Sequence, residues 1–289
     1  GVKVKADDKG FYDYNGYIIK SEYPMDEQSL DKAGEKLRKI YELYLKDQDV
    51  KTYFAIVPDK NAWAFEAEGQ NVINYSELYA RMQAETEDFA SYIELDDLLD
   101  MESYYKTDAH WRQEKIYPVA QRIAEAMGCE LTAEYDKAVA NDSFIGAYGR
   151  QSDLAMEPEE LIYLTNEALD GCIVTDYASE DERYVTTGVY TIASAASEDG
   201  EGYDMFLDGA KSLLTIENPA STTDKELIIF RDSFGSSIAS FFTEVYRKVT
   251  LVDTRYLPSE RVGKFVEFDR QDILFLYSVP VLNNSVMLK

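Results

Sequence analysis

Apolar side chains recur at Leu30, Ala33, Leu37, Tyr41 and Tyr44, a three- and four-residue spacing that sets one helix face against a core. The next apolar stretch differs in kind. Thr52 to Val57 is continuous, β-branched and aromatic, and Pro58 ends it, as expected of a strand buried on both faces. Helical spacing returns at Leu78, Met82, Glu85, Phe89 and Tyr92, and a short strand is expected at Ile93 to Leu95. After Trp111 a third helix carries Ile116, Ala120, Ile123 and Met127 on one face. Pro118 must sit in its first turns or kink it, and Gly128 is its natural stop.

The pattern changes between about 160 and 218. Leu161 to Thr165, Cys172 to Asp176, Tyr184 to Ile192 and Ser212 to Glu217 read as strands separated by acidic turns. No helix is expected between them, so antiparallel pairing follows. From Thr223 the strand–helix rhythm resumes. It runs as a strand at Leu227 to Phe230, a helix at Ser236 to Arg247 with Ile238, Phe241, Phe242 and Val245 inward, and a strand at Val249 to Asp253. A helix near Ser259 to Phe268 and a strand at Ile273 to Tyr277 complete it. Alternating strands and helices predict an α/β fold with a mainly parallel sheet covered on both faces, the β-rich segment being an antiparallel insertion or edge extension. The expectation is one domain over residues 1–289, without repeats or low-complexity linkers.

A hydrophobic fraction of 45% excludes a disordered chain. No apolar run approaches the ~20 residues of a membrane helix. The chain begins with Gly, which suggests a leader, either a signal peptide or an anchor, ahead of it. The net charge of −26 would repel a polyanion such as nucleic acid or teichoic acid, and the basic residues form no patch. The acid runs Glu94 to Glu102, Ser179 to Arg183 and Glu198 to Asp204 read as solvated surface, with none of the alternation of a calcium loop. Cys129 and Cys172 could form one disulfide or remain two buried thiols. No Cys/His cluster predicts zinc, and neither metal nor cofactor is expected.

The candidate chemistry begins at the one histidine, His110, in Lys106-Thr107-Asp108-Ala109-His110-Trp111. A lone histidine is by itself more often a surface or satisfied core residue. Here Asp108 is close enough to orient the imidazole, and Trp111 could shield the pair from water. The second element is Leu227 to Gly235, where a buried strand meets a tight turn carrying Asp232 and Ser233 before a helix. That junction would expose a serine at the C-terminal edge of the sheet, beside the N–H groups of a helix start. A plain helix cap is an equal reading by position. An activated serine needs a base, and His110 is the one histidine available.

The Lys106 to Trp111 segment resembles the signature of the DHHW family, and also the Thr-Asp-x-His-Trp of the alginate O-acetyltransferase proteins of the SGNH superfamily. Four further stretches fit in order: Phe54 to Lys60, Phe144 to Tyr148, the Asp232-Ser233-Phe234 turn, and Val252 to Tyr256. The resemblance implies an SGNH-hydrolase-like three-layer fold and a permuted triad. Ser233 would be nucleophile, His110 base and then acid, and Asp108 the residue that holds its tautomer. It further implies that Arg255 faces the substrate, a role to weigh against simple pairing with an acid at a strand end. Arg231 replaces the glycine of the SGNH turn, where it could crowd the turn or touch substrate. Trp111 is a third candidate for substrate binding, and Asn283, after the last strand, is the candidate for the oxyanion asparagine. Ala109 departs from the DHHW signature.

The function the resemblance implies is an extracytoplasmic serine O-acyltransferase. It would acetylate a cell-surface or exported polysaccharide, with a membrane-bound protein supplying the acyl group. Two alternatives stand beside it: an acyl esterase using the same triad, and a non-catalytic carbohydrate-binding or scaffold protein of the cell envelope. The scaffold reading expects His110 beyond hydrogen-bond reach of Ser233. Serine and histidine at loop positions should be removable at little cost in stability.

Overall fold

The computed structural model describes residues 1–197 and 201–289. Its centre is an eight-stranded sheet whose order is Arg183–Thr187, Ile173–Tyr177, Leu213–Glu217, Lys248–Val252, Glu226–Arg231, Asp272–Ser278, Lys51–Val57 and Ser91–Ile93. The last five of these run parallel, and the first three extend one edge antiparallel.

Alternation along the central strands makes the third dimension. Ala55, Val57, Leu227, Ile229, Leu274 and Leu276 point to one core, which Val119 and Ile123 of the helix Tyr117–Ala126 and Phe241 and Phe242 cover. Phe54, Ile56, Ile228, Phe230, Ile273 and Phe275 point to the other, covered by Leu30 and Leu37 of Glu27–Ile40 and Leu78 and Met82 of Tyr75–Thr86. A strand presents successive side chains to opposite faces, so a run apolar at every position must be sandwiched. The result is an α/β three-layer arrangement with a mainly parallel sheet.

Several elements depart from the periodicity. The second helix stops at Thr86, and Tyr92 belongs to the strand Ser91–Ile93. The expected Ser236 to Arg247 helix is one α-turn, Gly235–Ile238, followed by the 3-10 segment Ala239–Glu244, yet the predicted residues still face the core. The segment near Ser259 is likewise 3-10, Ser259–Lys264. In the β-rich region a one-turn helix, Glu167–Asp170, does intervene. Three of its four strands extend the main sheet, whereas Glu159–Thr165 leaves it to pair with the unforeseen strand Asp136–Phe144. Cys129 and Cys172 are both free thiols.

Candidate functional site

The strand Glu226–Arg231 is buried along nearly its whole length and delivers Ser233 at its C-terminal end. Asp232 fixes the turn: its Oδ1 accepts from Phe234 N at 3.0 Å, and its Oδ2 accepts from Ser278 N at 2.7 Å. The second bond reaches the end of the neighbouring strand, so the turn is pinned to the sheet itself. Crevices outside the carboxyl ends of parallel strands are where α/β proteins place ligands.

His110 Nε2 lies 2.8 Å from Ser233 Oγ, and His110 Nδ1 lies 2.7 Å from Asp108 Oδ2. The three residues thus form one hydrogen-bonded chain from segments 123 positions apart. Asp108 is fully buried, and its carboxylate also accepts from His110 N and Ala147 N. Burial pushes its pKa up, but the positive imidazolium and these donors outweigh burial and bring it down to about 2. It is therefore ionised at neutral pH and can hold the imidazole with Nδ1 protonated.

The Asp108 loop is held from outside. Glu159 Oε2 accepts from Thr107 N at 2.7 Å and Thr107 Oγ1 at 2.6 Å. Gly146 N donates to Thr107 Oγ1, and Gly149 N to Thr107 O. A Cβ on Gly146 would come within 2.3 Å of Asp108 Cβ and 2.8 Å of Thr107 O, so only glycine permits this approach. The Phe144 to Tyr148 stretch, singled out by sequence order, is thus the cradle of Asp108.

Tyr203 completes the arrangement. Its ring stacks on His110, and its hydroxyl donates to Ser233 O at 2.8 Å and sits 3.0 Å from Ser237 Oγ. The acid run Glu198 to Asp204, expected to be solvated surface, carries this tyrosine. Its residues 198–200 lie outside the described residues, but Glu201 and Asp204 line the same pocket as Ser233. Burial, then the charge of Asp108, pushes the Glu201 carboxyl up; burial also raises Asp204. Nothing in a run of acids marks a buried tyrosine, and no periodic signal could have found it.

The predicted substrate-binding residues divide. Arg255 does line the pocket, and it also pairs with Asp253, Nε on Oδ1 at 3.0 Å and Nη2 on Oδ2 at 2.7 Å. Its place on the pocket wall and its pairing with an acid are compatible. Arg231 lines the pocket from beneath, 2% exposed, and packs its chain against Gly235 without breaking the turn. Trp111 is a correction. It is fully buried, and its Nε1 donates to Phe234 O and Ser237 Oγ, so it braces the serine turn and cannot touch substrate.

Asn283 is the second correction. Its Oδ1 accepts from Asp26 N, its Nδ2 donates to Glu22 O and Pro24 O, and it lines a separate cavity with those residues. An amide saturated by backbone has no donor left for a reacting oxygen. His110 is 8% exposed and packed between Tyr203 and Phe234, a burial that its loop position in the sequence does not announce.

The pocket that Ser233 and His110 share measures about 180 Å³, and its walls include Phe206, Gly209, Ala210 and Tyr256. No group of three His, Cys, Asp or Glu arranged for a metal occurs among the described residues. No helix there is long and apolar enough to cross a membrane.

No family model matches the sequence, and no curated protein matches it. Solved structures do. A DHHW family protein from Eubacterium siraeum superposes with a TM-score of 0.70 at 16% identity, over 96% of this chain and 93% of that one. Bacillus cereus PatB1, in a structure with a sulfonyl adduct, gives 0.73 at 18% identity, over 96% and 95%. The O-acetyltransferase domain of Pseudomonas putida AlgJ gives 0.55 at 11% identity, over 97% and 92%. The likeness is one of fold and extends over nearly the whole chain. The DHHW and O-acetyltransferase resemblance read from Asp108-Ala109-His110-Trp111 thus has its counterpart in three dimensions.

Proposed function

We propose that this chain is a serine-dependent O-acyltransferase that moves an acetyl group to a hydroxyl of a polysaccharide outside the cytoplasm. The observation that carries the reading is the chain Ser233 Oγ, His110 Nε2, His110 Nδ1, Asp108 Oδ2, with contacts of 2.8 and 2.7 Å. In the first half-reaction Ser233 Oγ bonds to the acyl carbon while its proton passes to His110 Nε2. His110 then returns that proton to the departing group. In the second half-reaction a sugar hydroxyl attacks the acyl-serine, and His110 takes the proton and gives it back to Ser233. Asp108 keeps Nδ1 protonated throughout.

The pocket has room for an acyl group beside Ser233 and His110. The net charge of −26 disfavours an anionic acceptor. A similar fold carries the O-acetyltransferase domain of AlgJ, which supports acyl transfer; the exported glycan acceptor and the membrane-bound acyl donor are what the resemblance of the Lys106 to Trp111 segment implies. The binding-only reading expects His110 out of reach of Ser233, and the 2.8 Å contact counts against it.

The test is intact-mass spectrometry after incubation with p-nitrophenyl acetate. One acetyl adduct mapping to Ser233, absent from Ser233→Ala and His110→Ala, is the expected result. No adduct and no nitrophenol release would refute it. Adding neutral oligosaccharides to the acylated protein then separates transfer from hydrolysis by the product formed.

A further inference from the structure

Asn283 commits its whole amide to the chain around Glu22. Its Nδ2 donates to Glu22 O and Pro24 O, both at 3.1 Å, and its Oδ1 accepts from Asp26 N at 2.7 Å. The segment so held walls a cavity of about 590 Å³, against about 180 Å³ beside Ser233. That lies within the roughly 300–1,000 Å³ of small-molecule sites. Tyr148 forms another part of the wall, its ring packed edge-to-face against Phe11 with centroids 5.1 Å apart. Like the Ser233 pocket, the cavity sits beyond the carboxyl ends of parallel strands. Pro280 and Asn283 follow the strand Asp272–Ser278, whose Ser278 N is bonded to Asp232. Tyr148 follows Ala147, whose N is bonded to Asp108.

Two polar groups in this wall lack partners. The Glu22 carboxyl and the Tyr148 hydroxyl make no hydrogen bond among the described residues, yet neither is sealed from solvent, and this cavity is where both emerge. Glu22 is the foremost charge acting on the Tyr148 hydroxyl, so the two groups are neighbours. Burial, then the charge of Asp59, raises the Glu22 carboxyl to about 8, so at neutral pH it keeps its proton and can donate as well as accept. A tyrosine hydroxyl does the same. Lys20 and Asp26, also in the wall, are of opposite sign, so neither sign of ligand is selected. Tyr23, 52% exposed, adds an open aromatic ring. Paired donor–acceptor groups, no net charge and a flat ring complement a sugar, whose hydroxyls lie on its edge and C–H groups on its faces. Resting on the proposed transfer to a polysaccharide, we infer that this cavity is a second saccharide site. It holds a neutral sugar unit of the acceptor chain other than the unit that receives the acyl group. Holding the chain at a second point makes the attack of the acceptor hydroxyl more nearly unimolecular and favours sugar over water as acceptor.

The experiment is calorimetric titration of neutral tetrasaccharides (cellotetraose, maltotetraose, xylotetraose and N-acetylchitotetraose) into the Ser233→Ala protein, so that no turnover intervenes. The same titrations follow with Glu22→Met or Tyr23→Ala added, folding being checked by thermal unfolding. At least one tetrasaccharide is expected to bind. Glu22→Met should weaken it roughly tenfold or more, and Tyr23→Ala about threefold to tenfold. Placed in the wild-type protein, both substitutions should leave Ser233 acylation by p-nitrophenyl acetate unchanged. Should Glu22→Met fail to fold, Tyr23→Ala, whose ring is half in solvent, decides the matter. No binding by any of the four sugars overturns the inference, and so does binding that neither substitution weakens. Binding that needs Glu22 in a protein that forms no Ser233 adduct refutes acyl transfer and leaves the saccharide site standing.

Discussion

The imidazole of His110 and the phenol ring of Tyr203 lie face to face, their centroids 3.7 Å apart and their planes 2° from parallel. The same phenol donates to Ser233 O, so one residue orients the base and braces the nucleophile's backbone. Tyr203→Phe should keep the stack and lose the brace, slowing Ser233 acylation by less than about tenfold. Tyr203→Ala frees the imidazole as well, and misplacement by ~1 Å can cost about 10² in rate. Rapid-mixing measurement of nitrophenol release separates the two. Equal rates for both variants would mean that the stack does nothing for catalysis.

Asp108→Asn is expected to reduce acylation by up to ~10⁴, as when the histidine of a Ser-His-Asp triad takes the wrong tautomer. It should also change acid stability. The folded Asp108 pKa of about 2 lies below the unfolded 3.8, so its contribution is present above about pH 4 and vanishes as pH falls through 2. Unfolding free energies from urea titrations between about pH 5 and 2 should therefore drop further in wild type than in the variant, by about 2 kcal/mol. Parallel curves would refute the assignment of that stability to Asp108.

Gly146→Ala places a methyl group against Asp108 Cβ and the carbonyl of Thr107, and backbone cannot step aside as a flexible side chain could. Overpacking of this kind costs roughly 1–3 kcal/mol. Activity should fall further than stability does, because the displaced group orients His110. Denaturant unfolding with a parallel acylation assay reads both, and a fully active variant would show that the cradle is permissive.

Glu22 carries the opposite sign. Burial first, then the charge of Asp59, pushes its carboxyl from 4.5 up to about 8, so the fold favours its neutral form. The folded state binds the extra proton, and stability is full below about pH 4.5 and declines as pH rises through 8. Glu22→Gln should match wild type near pH 5 and exceed it at pH 8 by roughly 1–3 kcal/mol. A wild-type curve flat between those values would exclude the shift.

Much of the scaffold was legible. Runs such as Phe54 to Val57 and Leu227 to Phe230 are apolar at every position, which only a strand covered on both faces tolerates. Local period also found the helices, though not their ends or their 3-10 character, which packing decides. The hairpin Phe11–Tyr14 with Tyr17–Lys20 was missed although its Asn15-Gly16 turn is a recognised signal, both residues taking positive φ. Asn283 misled because an asparagine beside a strand end is common, and its partners, Glu22 and Pro24, come from the other end of the chain.

By itself the sequence determined the parallel core and the candidates Ser233, His110 and Asp108, because each rests on short-range order: a buried strand before a serine turn, and an acid two residues from a histidine. Tertiary structure alone decided which other side chains surround them. Tyr203 on His110, Gly146 under Asp108 and the unmatched guanidinium of Arg231 below Ser233 are contacts between segments distant in the chain or set by the depth of a pocket. Period and composition report which face a residue turns toward the core, not what it meets there.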